Sequence, residues 1–342
     1  MDRFSLPEAI STLRAWFDAS ERIWVSVHES PDADSIGSAL ALASVLSQRG
    51  KRVVAIRQPP FPTAYDRLPL AASMVDVSKL GSLFVPDLII AVDVGSFSRV
   101  GPVQEYVLPE TRVVNIDHHA GNVGPDRPCV LLNLVDSSIA STTMLTYLLL
   151  RDVYPGCIGP QEATCLYLGL ITDTGCFRHS NTDARALRVA AELAELGADA
   201  GTLPEDFMFR RRPQALRLLG EVLSSIEFHG DGLLATMILT QDMLQRTGAR
   251  PDETEGFVNY ASSLEGVHAA ALLRELEPGQ TRVSLRSSGH LDVACLAREW
   301  DGGGHRNAAG ATLAADILTA RRTLAAAALR HLETARVAAG GS

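Results

Sequence analysis

The chain has 342 residues, 46% hydrophobic and 21% charged, with a formal net charge of −9 at pH 7. That length holds two domains with proper cores, and no apolar run approaches the ~18 residues of a membrane-spanning helix. So acidic a chain is poorly suited to coating long nucleic acid, which asks for a basic face, but short anionic substrates stay open because bound divalent cations reverse the local sign of charge.

Residues 5–20 read as an amphipathic helix without a signal-peptide core, so a cytoplasmic protein is expected. Ile23–Val27 is a compact apolar strand. It runs into His28-Glu29-Ser30-Pro31-Asp32-Ala33-Asp34-Ser35 and then an Ala/Leu-rich helix over 35–49, which Gly50 stops. Arg52–Ile56 is the next strand. Strand, helix and strand at this spacing make a βαβ unit, hence a parallel sheet with right-handed crossovers. Pro59–Pro62 is a stiff loop. Leu88–Val92 runs into Asp93, with Arg99 six residues on as a substrate clamp, a partner holding Asp93 or a solvated loop residue. Val113–Ile116 runs into Asp117-His118-His119. The Ser/Thr cluster over 136–143 opens a helix, where it serves chiefly as caps and packing. Residues 160–172 are a helix or strand-like apolar run that ends on Asp173.

Residues 183–196 and 204–225 read as helices, with Arg210-Arg211-Arg212-Pro213 a basic turn in what looks like a linker. From 226 the pattern becomes α+β. Strands are expected at 233–239, 267–275, 282–287 and 311–313, and helices at 251–264, 292–300 and from the last strand to about 336. Gly302-Gly303-Gly304-His305 forms a loop before the last strand.

The chemistry lies in the strand ends. One His and two Asp within seven residues, where a strand gives way to a helix, suit Mn²⁺ or Mg²⁺ better than a thiolate-seeking metal. A helix cap at Asp34 or Ser35, with Asp32 favoured by the helix dipole, accounts for the acidic residues but not for the His four residues before Asp32. Three further apolar runs end on Asp93, Asp117 and Asp173, one of them carrying two adjacent His. Like charges gathered at one sheet edge repel unless a cation sits between them. The reading is a polynuclear metal site at the C-terminal edge of a parallel sheet, where open α/β folds bind ligands.

The order H-x-x-x-D-x-D, D, D-H-H, D resembles the DHH phosphoesterase superfamily. Gly302–Gly310 resembles the glycine-rich motif of the associated DHHA1 domain, and Thr172–Thr182 resembles the family's T-D-T-G-x-F-R-x-S-N-T segment. Two departures are mild. Ala33 stands where a glycine is common, and Asp301 precedes three glycines where four are frequent. The resemblance implies a parallel-sheet DHH domain with flanking helices (1–185), a helical linker (186–225) and a smaller α+β DHHA1 domain (226–338). It also implies two divalent metal ions, Mn²⁺ preferred and Mg²⁺ as substitute. One would be held by His28, Asp32 and Asp93, the other by Asp34, Asp93, His118 and Asp173, with Asp93 bridging. Asp117 would orient His118, leaving His119 to contact the scissile phosphate or assist proton transfer. Arg99, Arg178, Arg286, Ser287, Gly303, Gly304 and His305 would bind substrate.

The chain most resembles nanoRNases, which degrade short oligoribonucleotides to mononucleotides and dephosphorylate 3′-phosphoadenosine 5′-phosphate. Short RNA and nucleotide bisphosphates are thus the expected partners, with no membrane and with a homodimer compatible with the Leu/Ala-rich helices. A cyclic-dinucleotide phosphodiesterase, or a hydrolase of its linear product, is the alternative that the motifs do not separate. A RecJ-type exonuclease needs a longer chain. A family II pyrophosphatase carries a Lys/Arg-rich motif in its second domain, whereas Lys51 and Lys79 are the only lysines here. A non-enzymatic nucleotide sensor would have lost a metal ligand, and none is missing. The five cysteines show no C-x-x-C spacing, which points to buried free thiols rather than disulfides or zinc.

Overall fold

The structure, a computed structural model, describes residues 6–119, 129–288 and 291–339. The chain divides into two compact units, 1–210 and 211–342.

In the first unit, α1 (Leu6–Ala19) precedes β1 (Arg22–Ser26), α2 (Ala33–Gln48), β2 (Arg52–Arg57), β3 (Val75–Asp76), β4 (Leu88–Val92), β5 (Arg112–Asp117) and β6 (Val130–Val135). Helices α3 (Thr142–Val153), α4 (Pro160–Asp173), α5 (Ala184–Glu195) and the single turn α6 (Thr202–Pro204) complete it, followed by a π-helical turn over Glu205–Phe209. The six strands form one parallel sheet in the order β3-β2-β1-β4-β5-β6. From β1 the chain builds first to one side and then, at β4, to the other. The ends of β1 and β4 therefore flank the point where the direction of winding reverses, which is where such sheets open a crevice.

Both faces of this sheet are covered, which is why its strands read as unbroken apolar runs. Ile23, Val25, Ile90, Val92 and Val114 pack under the helices. Trp24, Ile89, Ala91 and Val113 pack under the 3-10 turns Val77–Ser82 and Phe97–Tyr106 on the other face.

The second unit runs α7 (Pro213–Ser224), β7 (Glu227–His229), β8 (Leu234–Leu239), α8 (Gln241–Thr247), α9 (Val258–Ser262), β9 (Ala269–Glu277), β10 (Gln280–Ser287), α10 (Val293–Ala297), β11 (Gly303–His305), β12 (Ala308–Leu313) and α11 (Ile317–Ala339). Its mixed sheet has the order β11-β12-β10-β9-β8-β7, with α10 and α11 on one face and α7, α8 and α9 on the other.

Several expectations need correction. Residues 160–173 are helix α4, so Asp173 ends a helix rather than a strand. The helix is buried on nearly every side, which erases its period, but Gly159, Pro160 at its start and Glu162 in a capping box mark it. The glycine loop is a strand, β11, because β12 takes it into register. The expected helix over 204–225 breaks at Arg210–Arg212. The 251–264 helix shrinks to a 3-10 turn and α9. Strands β3, β6 and β7 and helix α8 were not anticipated. Of the five free thiols, Cys165 alone is buried. Ser5 and the tail 340–342 lie outside the described residues. Among the described residues no helix is long and apolar enough to cross a membrane.

Helices α2 and α4 meet through two glycines. An ideal Cβ on Gly37 would stand 2.3 Å from the Cys165 carbonyl oxygen, and one on Gly169 would stand 2.4 Å from Thr143 Cγ2 and 2.9 Å from Asp34 Cα. Glycine in a helix costs about 1 kcal/mol relative to alanine, so these two are kept for the close approach. We expect Gly169→Ala to lower the unfolding free energy by about 1–3 kcal/mol in urea titrations. Gly220→Ala in α7, where nothing lies within 4 Å of the new methyl group, should raise it by up to about 1 kcal/mol. A stabilised Gly169→Ala would show that the contact has slack.

Candidate metal centre

The site is built where β1, β4, β5 and α4 end. Asp32 caps α2: its Oδ1 accepts the N–H groups of Asp34 and Ser35 at 3.1 Å each. The cap and the metal-ligand readings therefore apply to the same side chain. The capping bonds fix the carboxylate, and Oδ1 lies 3.8 Å from His28 Nε2. His28 is buried at the end of β1. Its Nδ1 is 2.8 Å from the Glu29 carbonyl oxygen, and Nε2 is 3.6 Å from Asp93 Oδ2. Nε2 is thus the ring nitrogen that faces Asp32 and Asp93. Arg99 reaches this loop rather than Asp93, with Nη2 2.9 Å from His28 Nδ1 and 3.4 Å from the Glu29 oxygen.

Asp93 follows β4 with φ +60, a left-handed conformation that Asp tolerates better than most residues. Its N–H donates to the Ile116 carbonyl at 2.9 Å, locking the turn to β5. Oδ2 faces His28. Oδ1 faces His118 Nε2 at 3.8 Å and His119 Nδ1 at 3.4 Å, and accepts from Thr142 Oγ1 at 2.9 Å. Asp34, buried in the first turn of α2, is held by the first turn of α3. Thr142 N–H donates to Oδ2 at 2.6 Å, and the N–H and hydroxyl of Thr143 donate to Oδ1 at 2.8 and 2.6 Å. His118 Nε2 is 3.2 Å from Asp173 Oδ2 and 3.9 Å from Asp34 Oδ2.

Two sets of donor atoms, each within 4.8 Å of one another, are His28, Asp32 and Asp93, and Asp34, His118 and Asp173; the sequence assignment placed Asp93 in the second set as well. A third set, Asp93, His118 and His119, overlaps both. The electrostatics fit a cation. Burial and the negative charge on Asp93 push the Asp34 carboxyl up to about 7. Burial and the charges on Asp34, Asp32 and Asp93 hold Asp173 well above the carboxylate range. Burial acts to lower His28, but its bonds to Asp32 and Asp93 outweigh that and raise it to about 10. Without a metal the cluster gathers protons in its place, the state that divalent cations displace.

One orientation differs from expectation. Asp117, fully buried at the end of β5, takes His119 Nδ1 at 2.6 Å and the His119 N–H at 3.1 Å on Oδ1, while His118 Nδ1 faces the Ile139 carbonyl at 3.4 Å. The carboxylate serves the second histidine of the pair, where the sequence assigned it to the first. Its bond outweighs burial and raises His119 above the usual imidazole value. Thr142 and Thr143 were read chiefly as caps, yet Ser141 is the cap of α3. Beyond Asp173, the three successive left-handed residues Gly175, Cys176 and Phe177 turn the chain back. His179 Nδ1 and Asn181 Nδ2 then each lie 3.2 Å from the Asp173 carbonyl oxygen, and Asn181 also donates to Ala140. Phe177 is half-buried against the core, and exposed Arg178 donates through Nε to the Gly175 carbonyl at 3.0 Å.

In the second unit, Arg286 is half-buried on β10. By strand alternation it shares a face with Arg282 and, across the register, with Arg274. Ser287 donates its N–H to the Asn307 carbonyl at 3.0 Å, and its Oγ accepts from Leu291 N–H at 3.2 Å. Gly303 and Gly304 lie in β11. Gly304 has φ +138 and a position where a Cβ would meet the Ala308 carbonyl oxygen at 2.4 Å, while Gly303 is open. The His305 side chain lies outside the described residues.

Residues 22–170 match the family described as DHH family, N-terminal domain, and residues 231–331 match the DHHA1 domain. The chain is similar to the bifunctional oligoribonuclease and PAP phosphatase NrnA of Thermus thermophilus, at 34% identity over 302 residues that cover 85% of this chain and 84% of the relative. The protein of the same name from Bacillus subtilis is 27% identical, covering 84% of this chain and 87% of its own. The crystal structure of an exopolyphosphatase-related protein from Bacteroides fragilis superposes with a TM-score of 0.88 at 26% identity, covering 98% of this chain and 100% of that one.

Asp34 and His28 both bind a proton more tightly folded than unfolded. The metal-free protein therefore loses stability as pH rises, through Asp34 between 3.8 and about 7 and through His28 between 6.5 and about 10. We expect thermal melts in EDTA to give a lower Tm at about pH 8 than at about pH 5, and saturating Mn²⁺ to reverse the order because protons compete with the cation. A metal-free Tm that climbs over that interval would contradict the electrostatic account.

Proposed function

The chain belongs to the DHH phosphoesterase family, with a DHHA1 domain following the DHH domain in sequence, and on that footing we propose that it hydrolyses short oligoribonucleotides to mononucleotides and removes phosphate from 3′-phosphoadenosine 5′-phosphate. The observation that carries this reading is the gathering of Asp32, Asp34, Asp93 and Asp173 with His28 and His118 at one edge of a rigid sheet, in a chain similar over most of its length to two NrnA proteins.

His28, Asp32 and Asp93 would hold one divalent cation, and Asp34, Asp93, His118 and Asp173 a second. Carboxylate oxygens with one imidazole on each side suit Mn²⁺, while Mg²⁺ prefers an all-oxygen shell and serves as substitute. When bound, such a pair acidifies water and neutralises the charge that develops on the phosphoryl oxygens. The protein residues do the rest. Asp117 fixes the ring of His119 through Nδ1, so Nε2 is the nitrogen that meets the substrate and gives a proton to the leaving oxygen. Buried Asp117 also raises the proton affinity of His119 against the effect of burial. Exposed Arg178 supplies a fork for a non-bridging phosphate oxygen. In the second unit, Arg286, Ser287 and the open backbone at Gly303 and Gly304 would take the remaining anionic or sugar groups.

The test is mononucleotide release from a diribonucleotide with Mn²⁺. Parallel assays use an RNA of about 24 nucleotides, phosphoadenosine phosphate, a cyclic dinucleotide and pyrophosphate, with Asp93→Ala as the blank. We expect the dinucleotide and phosphoadenosine phosphate to be consumed fast and the long RNA slowly. Preference for the cyclic dinucleotide or pyrophosphate would overturn the substrate assignment while leaving the metal centre standing. In the same assay Asp117→Asn should lower kcat about a hundredfold or more. An unchanged kcat would remove His119 from proton transfer.

A further inference from the structure

We infer that Thr142 is a positioning residue: its hydroxyl decides how Asp93 is shared between the two halves of the metal centre. The inference rests on reading Asp34 and Asp93 as metal-holding carboxylates.

Thr142 occupies the first helical position of α3 and is fully buried. Capping of that helix is already done by Ser141, whose Oγ accepts the Met144 N–H at 3.1 Å. The Thr142 hydroxyl is therefore not needed as a cap, and a buried hydroxyl is costly unless bonded. It donates to Asp93 Oδ1 at 2.9 Å, across 49 residues of chain, while the N–H of the same residue donates to Asp34 Oδ2 at 2.6 Å, across 108. One residue thus ties together a carboxylate from the start of α2 and another from the end of β4.

The consequence falls on Asp93. Its two oxygens face opposite ways, Oδ2 to His28 Nε2 at 3.6 Å and Oδ1 to His118 Nε2 at 3.8 Å. A carboxylate turns readily about its last torsion, which is broad. The Thr142 bond stops that rotation and leaves Oδ1 a second lone pair for the His118 side. Asp34 does not depend on the hydroxyl, because its bonds come from two backbone N–H groups and from Thr143. Removing the hydroxyl should loosen the bridge and spare Asp34.

The experiment compares the full chain with Thr142→Val, which keeps the shape, and Thr142→Ser, which keeps the hydroxyl. Free Mn²⁺ is followed by electron paramagnetic resonance during titration, with kcat and KM on a diribonucleotide measured alongside. We expect Thr142→Val to bind Mn²⁺ about 10–100-fold more weakly and to lose kcat by a similar factor, with KM little changed. Thr142→Ser should return both to near the parent values. A folded Thr142→Val that binds Mn²⁺ as the parent does overturns the inference alone. A parent chain that binds no divalent cation overturns the reading of the site, and this inference with it. Should the valine variant not fold by circular dichroism, the serine variant decides, since loss of Mn²⁺ affinity with the hydroxyl in place overturns the role assigned to it.

Discussion

Repulsion among Asp32, Asp34, Asp93 and Asp173 is the force against which the first unit is arranged. Carboxylates brought this close and this deep would separate in a flexible chain. Here two are anchored by hydrogen bonds from helix-start backbone that has no other use for its donors, and a third, Asp93, by its own N–H and the Thr142 hydroxyl. Asp32 takes the free N–H groups at the start of α2, Asp34 takes those at the start of α3, and the N–H of Asp93 is fixed to β5. Two helix N-termini thus lend partial positive charge to the cluster. Helix α4 arrives the other way round, with its negative end at Asp173, the corner where a cation gains most.

The sheet supplies rigidity and the loops supply chemistry. Strands β1, β4 and β5 are neighbours buried on both faces, so the residues that leave their ends start from fixed points. The adjacent histidines after β5 then part company. His118 turns towards Asp34 and Asp173, and His119 towards Asp117 and Asp93. A sharp turn after the strand gives two neighbouring imidazoles unlike duties, one within the donor set and one held by a buried acid. The second unit offers a different surface: a sheet face with Arg274, Arg282 and Arg286, and a glycine hairpin whose backbone lies open at Gly303. Arginine forks and bare backbone suit phosphate and sugar oxygens, and neither needs the positive overall charge that this chain lacks.

The sheet and the gathering of acidic and histidine side chains at its edge were legible because doubly buried strands announce themselves as apolar runs, and the residue that ends each run is easy to see. Asp93 and Asp117 were found in this way. Asp173 was found for a partly mistaken reason, since a helix buried on all sides shows no amphipathic period and resembles a strand. The partner of Asp117 was out of reach, because the turn that chooses between His118 and His119 is set by backbone geometry rather than residue type. Thr142 was hidden by its company. A run of Ser and Thr before a helix is what a cap looks like, and only the fold shows that Ser141 does the capping while its neighbour reaches Asp93. The three glycines before His305 suggested a loop, but strand register with β12 is a tertiary property.

The contact at Gly169 has a further consequence for how such a centre can change over evolutionary time. Helix α4 lies against Asp34 Cα and the Thr143 side chain with only hydrogen between them. On the α4 side of this contact there is no side chain to trim. Substitution at Gly169 can only widen the gap between the helix that ends on Asp173 and the one whose first turn carries Asp34. Position 169 therefore bounds the spacing of this half of the centre on one side: change there is open towards a wider separation and closed towards a narrower one.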